Sequence, residues 1–323
     1  MSEQFVSRFG ADLSDMICLM TVQGGRESTY MNRASSFDRF CYEQHPTCDK
    51  LTEALALSWV NHDTTNTTTI HYRATFLRGF ASYLNRIGKP AFVIPDKYFC
   101  SRSLFVPYLF SDKELTDLFA AIDQFQCPGN PFLPIVLSTY FRLTYTCGLR
   151  PSEGRNLRRT DVHLDSGEIY IRCSKKNKSR IVVMSDDMLA LAKKYLVLLN
   201  ANDPDGEFFF PQKSGRPFSA IQMQNRFQRF FSIAHPDLQV EFVPHVRVYD
   251  LRHRFATAAL NRWLDERQDI QARLPYLQTY MGHTALSATA YYIHLLPENL
   301  VKSSGVDWAS LSKVYPNEEL WKE

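Results

Sequence analysis

Tyr249-Asp250-Leu251-Arg252-His253-Arg254-Phe255, followed by Met281-Gly282-His283 and then Ala290-Tyr291-Tyr292-Ile293-His294, places an arginine, a histidine and a tyrosine on what read as successive helices. Upstream, Gly148-Leu149-Arg150-Pro151-Ser152-Glu153 adds a second arginine, and Cys173-Ser174-Lys175-Lys176-Asn177-Lys178 adds lysines in a tight turn. These residue types suit chemistry on phosphate. A phosphodiester repels nucleophiles, and its transition state carries still more negative charge. The guanidinium fork binds phosphate oxygens in pairs and stays charged at any working pH. Two arginines converging on one phosphate, Arg150 and Arg252, would supply preorganised electrostatic stabilisation. Read singly, either is as readily a structural ion pair, and His283 a core hydrogen-bonding residue. A lysine or histidine near the leaving alkoxide can deliver its proton as general acid.

As an ordered set these segments resemble the tyrosine recombinases, the phage-integrase family. There the order is Gly-Leu-Arg-x-Ser-Glu, a lysine in a β-hairpin, His-x-x-Arg-His, Gly-His, and a tyrosine nine residues on; here Tyr292 lies nine after His283. The likeness covers about residues 108 to 310. It implies a catalytic set of Arg150, Lys175, Tyr249, Arg252, His283 and Tyr292, with Tyr292 as nucleophile and adjacent Tyr291 as its rival. Lys175 matches the lysine of the family's Gly-Lys-Gly-Asn-Lys, but Ser174 and Lys176 stand where glycines are usual, so Lys176 and Lys178 compete with it. Tyr249 departs from the pattern, occupying a position that is usually histidine. Its hydroxyl can donate to a phosphate oxygen but exchanges a proton poorly near neutral pH; His253 and His245 are nearby candidates for a base. Glu153 either orients an active-site residue or is the acidic residue of a helix start.

The resemblance further implies a mainly α fold with a small antiparallel β-hairpin, in which a helical core-binding domain precedes a mixed α/β catalytic domain. The implied activity is site-specific DNA recombination through a 3′-phosphotyrosyl intermediate, on double-stranded DNA, by a homo-oligomer, with neither a nucleotide nor a metal cofactor. A type IB topoisomerase, which reseals the same strand, and a non-catalytic DNA-binding subunit are the alternatives.

Composition sets the frame for this reading. A chain of 323 residues exceeds what one core usually serves and predicts two domains. A net charge of +3 is too small to announce a nucleic-acid binder, but basic residues bunch from Arg142 to Arg180, as they do on many solvated faces. Seven cysteines with no Cys-x-x-Cys pair argue against a zinc ribbon and a disulfide framework, and point to reduced thiols in the cytoplasm. No apolar run reaches signal or membrane-span length.

Periodicity predicts helices over Met31 to Tyr42, Leu51 to Val60 and Thr67 to Ile87, forming a domain of residues 1 to 95. On the third, Arg73 and Arg78 are candidates for a DNA backbone or plain surface charge; in the family this domain clasps DNA opposite the catalytic one. Prolines at 90, 95 and 107 mark a linker over 96 to 107, and residues 108 to 323 form the second domain. Ser111 and Glu114 stand in capping-box relation, and a helix from Leu133 to Cys147 is expected to end on left-handed Gly148. A hairpin spans 167 to 184, with helices then over Asp187 to Asn200, Ala220 to Ala234, Leu251 to Leu264, Ala272 to Met281 and Thr289 to Leu295. Apolar residues from Pro297 to Glu323 suit docking on a neighbouring protomer or on the chain's own domain.

Overall fold

A computed structural model describes residues 5–24, 27–96, 107–174 and 178–295. The chain divides into two compact units, Met1–Val106 and Pro107–Glu323. It is mostly helical, with one small antiparallel sheet.

The first unit packs α1 (Gly10–Val22), α2 (Glu27–Gln44), α3 (Glu53–Val60) and α4 (Thr67–Arg86) around buried Phe9, Phe37, Trp59 and Phe80. Phe37 sits at the centre, with ring centroids 5.6, 5.1 and 6.0 Å from Phe9, Trp59 and Phe80. Asn66 starts α4 by accepting from the amides of Thr68 and Thr69, and the helix buries Phe76, Leu77, Phe80, Ala81 and Leu84 as its periodicity predicts. Sequence reading did not anticipate α1. Its buried Leu13, Met16 and Ile17 have helical spacing, but exposed Leu19 and Val22 blur the apolar face.

The second unit is built on α6 (Leu133–Thr146), which contacts α5 (Asp112–Asp123), α7 (Pro151–Arg155), α8 (Asp186–Asn202) and α10 (Val248–Asp265). The expected capping box opens α5: Ser111 Oγ accepts from the Glu114 amide, and Glu114 accepts from the Ser111 amide. Strands β1 (Val162–His163), β2 (Glu168–Ser174) and β3 (Lys178–Val183) pair antiparallel in that order, Ile171 opposite Arg180. The short strand β1 was not expected. After α9 (Ala220–Ile233) and α10 come α11 (Ile270–Met281), α12 (Ser287–Ala290) and a 3₁₀ turn over Tyr291–Leu295. A continuous helix over Thr289 to Leu295 is thus corrected: the chain tightens at Tyr291. The hairpin tip at 175–177 and the segment beyond Leu295, including the apolar residues of the C-terminal docking expectation, lie outside the described residues.

Candidate active site

Arg150 is placed by the way α6 stops. Gly148 adopts φ 58°, its amide bonding the Tyr145 carbonyl and the Leu149 amide the Thr144 carbonyl, which is a Schellman closure. Only glycine fits, because a Cβ there would strike the Phe255 ring. Leu149 is then buried and Arg150 emerges as the residue before α7. Glu153 does both jobs left open for it. Its Oε2 accepts from the Arg150 amide at 2.8 Å, capping α7, and its Oε1 takes Arg150 Nη1 at 2.6 Å.

Helix α10 starts at Val248, earlier than expected, so Tyr249, Arg252 and His253 share one face of it. Its start is held by Asp250, which accepts from the Arg247 amide and side chain at 2.8 and 2.9 Å. Arg252 is fully buried; its Nη1 donates to the Gly148 carbonyl at 2.6 Å, and its Nε has no partner among the described residues. Burial pushes this guanidinium below its ordinary pKa.

The C-terminal end of α11 gathers these groups. Three successive carbonyls there each accept from a different arginine: Tyr280 from Arg180 Nε at 2.7 Å, Met281 from Arg252, and Gly282 from Arg150 Nη2 at 2.7 Å. A helix C-terminus is the negative end of its dipole, so it favours cations at the exposed carbonyls. Gly282 is left-handed at φ 64°, which ends the helix and directs the chain into His283.

His283 Nε2 lies 3.2 Å from Arg252 Nη2, and Nδ1 lies 2.8 Å from Thr289 Oγ1. A guanidinium only donates, so Nε2 accepts and the imidazole proton sits on Nδ1, donating to Thr289. Burial, then the charges of Arg252, Arg150 and Arg180, lower His283 to about 4. His253 falls likewise to about 4, through burial and then Arg247 and Arg252. Tyr292 is 2 % exposed, its ring stacked 5.9 Å from that of His283 and tilted against that of His253 at 5.5 Å. Burial raises its phenol to about 12, against the opposing pull of Arg252. Half-buried Tyr249 has its ring 5.1 Å from His253. Tyr291 is half-buried beside Tyr292.

Five of the expected site residues, Arg150, Tyr249, Arg252, His283 and Tyr292, therefore converge. Lys175 and Lys176 lie outside the described residues, as does the side chain of Lys178. In the first unit Arg73 Nη1 donates to the carbonyls of Trp59 at 3.0 Å and His62 at 2.5 Å, closing the end of α3. Arg78 pairs with exposed Asp96. Sequence reading missed Arg180 and Thr289 as parts of the site. A signal existed for Arg180, which alternation places on the same side of β3 as buried Val182, while Ile181 and Val183 face solvent.

The fold is similar to that of known proteins. Among solved structures, XerH site-specific recombinase in a post-cleavage complex with palindromic difH substrate aligns over 87% of this chain and 79% of that one, with TM-score 0.64 and 17% identity. The Tn1549 transposon integrase bound to transposon right end DNA aligns over 87% and 94%, with TM-score 0.64 and 15% identity. At these identities the likeness is one of fold. In sequence, the chain is 33% identical over 195 residues to the protein y4rE of Sinorhizobium fredii, covering 60% of this chain and 61% of that one. It is 33% identical over 162 residues to tyrosine recombinase XerC of Lactobacillus leichmannii, covering 49% and 50%. The chain thus spans between half and two thirds of the length of these curated relatives. The pattern of the phage integrase family matches residues 110–299, and on that span, which is more than half of its length, the chain belongs to the phage integrase family.

Proposed function

We propose that this protein is a site-specific DNA recombinase that breaks and rejoins double-stranded DNA by attack of Tyr292 on a backbone phosphate. The observation that carries the reading is the end of α11, where Arg150 and Arg252 are tethered to neighbouring carbonyls and His283 follows directly, beside Tyr292. The Nε of this fully buried guanidinium, without a partner among the described residues, suits a ligand oxygen, since buried donors otherwise find protein partners. Tyr292 Oη forms a bond to phosphorus as the bond to the 5′ oxygen breaks. The phenol gives its proton to neighbouring His253, whose Nδ1 is buried without a partner among the described residues, and the 5′ alkoxide gains one from Lys175. The 3′-phosphotyrosyl ester keeps the energy of the broken bond, and a 5′ hydroxyl from another strand reverses the step. Arg252 and Tyr292 are both closed off at rest, so the turn over Tyr291–Leu295 shifts when DNA arrives.

In this reading the unit Pro107–Glu323 carries the chemistry, and Met1–Val106, with Arg78 at its surface, adds contacts to the DNA. Lys176 and Lys178 contact the backbone beside Lys175. Solved relatives bound to DNA as a dimer and as a tetramer support assembly of several copies on one DNA.

The test uses a nicked substrate whose cut fragment diffuses away. Wild type should accumulate a covalent protein–DNA adduct mapping to Tyr292. Tyr292→Phe should bind DNA and form none, whereas Tyr291→Phe should still form it. An adduct on Tyr291 would move the nucleophile, and a wild-type chain that binds but never cleaves would leave the non-catalytic reading.

A further inference from the structure

Arg180 is a charged residue of this site to which the reaction gives no part. It leaves β3 with a side chain 7% exposed and forks onto Glu153, Nη1 to Oε1 at 2.8 Å and Nη2 to Oε2 at 2.7 Å. The same carboxylate also holds Arg150, at Nη1 and at the backbone amide. One negative charge therefore faces two guanidinium groups. Division between them is unequal. Arg180 makes two parallel bonds, the stronger geometry, whereas Arg150 places one prong on Glu153 and the other on the neutral carbonyl of Gly282.

We propose that Arg180 is a positioning residue for strand cleavage: by absorbing the charge of Glu153, it lets that carboxylate hold Arg150 in place without cancelling the charge Arg150 offers to the phosphate. This rests on the cleavage reading above. Glu153 itself fits the role. Burial would raise its pKa, but the Arg180 fork, reinforced by Arg150, holds it at about 2, so near neutral pH it is ionised and in need of a counter-charge. Arg180 also bonds the Tyr280 carbonyl, and its Cδ lies 3.1 Å from where a Cβ on Gly282 would stand, so the same side chain fixes the strand against the α11 end. A staple and a neutralising charge predict different genetics.

Full-length wild type, Arg180→Met, Glu153→Gln, the double variant and Arg180→Lys are compared on the nicked substrate at saturating DNA. Folding is established first for each by far-UV circular dichroism at the assay temperature. Wild-type cleavage is the baseline; its absence sinks the reaction itself and is seen before any variant is compared. Given that baseline, Arg180→Met should lose about 10²-fold in rate, the scale of one transition-state donor lost. Adding Glu153→Gln, which keeps an oxygen to accept from Arg150 but removes the charge, should recover at least about 10-fold of that loss. A folded double variant no faster than Arg180→Met, or an Arg180→Met as fast as wild type, overturns the proposal. If Arg180→Met does not fold, Arg180→Lys decides. It keeps the charge and loses the fork, so cleavage within about 10-fold of wild type supports neutralisation, and a loss near 10²-fold shows a staple.

Discussion

His283 is held in one tautomer and one charge state by its neighbours, and that has a consequence for pH. Burial and neighbouring arginines keep it and His253 neutral down to about 4, against an ordinary value of 6.5. The unfolded chain binds protons on both residues that the folded chain refuses. Their contribution is therefore intact above 6.5 and is lost progressively as pH falls toward 4. Glu153 adds a second loss lower down, as pH falls from 4.5 toward 2 and the carboxylate leaves its arginines. Melting temperature followed against pH should show the first decline beginning near 6.5. His253→Asn combined with His283→Gln should flatten that limb and leave the lower one. A melting curve equally steep in both proteins would show that these histidines titrate normally. In the proposed reaction, the assignment of Nδ1–H also means that His283 would reach a phosphate as an Nε2 donor only after releasing Arg252 and taking up a second proton, as the anion's charge raises its basicity.

Helix α11 serves this site by how it ends rather than by its length. Gly282→Ala puts a Cβ in the left-handed region, costing on the order of 1–2 kcal/mol, and crowds the aliphatic stem of Arg180. Thermal melting should register that cost. Cleavage should fall further, by about 10-fold or more, because the carbonyl that tethers Arg150 moves with the residue. Equal losses from Gly282→Ala and from a matched destabilising change in the first unit would deny the tether a special part. Much of this element arrangement was legible beforehand. The Ser111/Glu114 box, the stop at Gly148 and the alternation of β2 depend on residues close in sequence, whose signals are local. The start of α10 was not, because its cap is Asp250 reaching back to Arg247, with no small polar residue to mark it. Nor was the tightening at Tyr291, where nothing in Ala290-Tyr291-Tyr292 distinguishes α from 3₁₀ spacing. Arg180 escaped for another reason: Glu153 and Tyr280, its partners, are 27 and 100 residues away.

The two units have separate cores, one drawn from Phe9 to Ile94 and the others from Phe110 to Tyr292, with no residue in common. Residues 107–323 made alone should fold cooperatively and melt within about 5 °C of the corresponding transition in the full chain. Calorimetry on both proteins checks this, and a fragment without a transition would show that the second core depends on the first unit. Should it fold, its affinity for DNA reports what the first unit contributes, and its cleavage of pre-bound substrate reports the chemistry alone. No helix among the described residues is long and apolar enough to cross a membrane.

Counting formal charges at the α11 end adds a last point. Arg150, Arg180 and Arg252 bring three positive charges, Glu153 brings one negative, and His283 stays neutral, leaving a surplus of two. A resting phosphodiester carries one negative charge, so it under-fills the enclosure. The five-coordinate phosphorus species formed during attack carries two. In the proposed reaction the charge of Lys175 is spent on the 5′ oxygen it protonates, so these groups at the α11 end would balance that fleeting species better than the DNA first met.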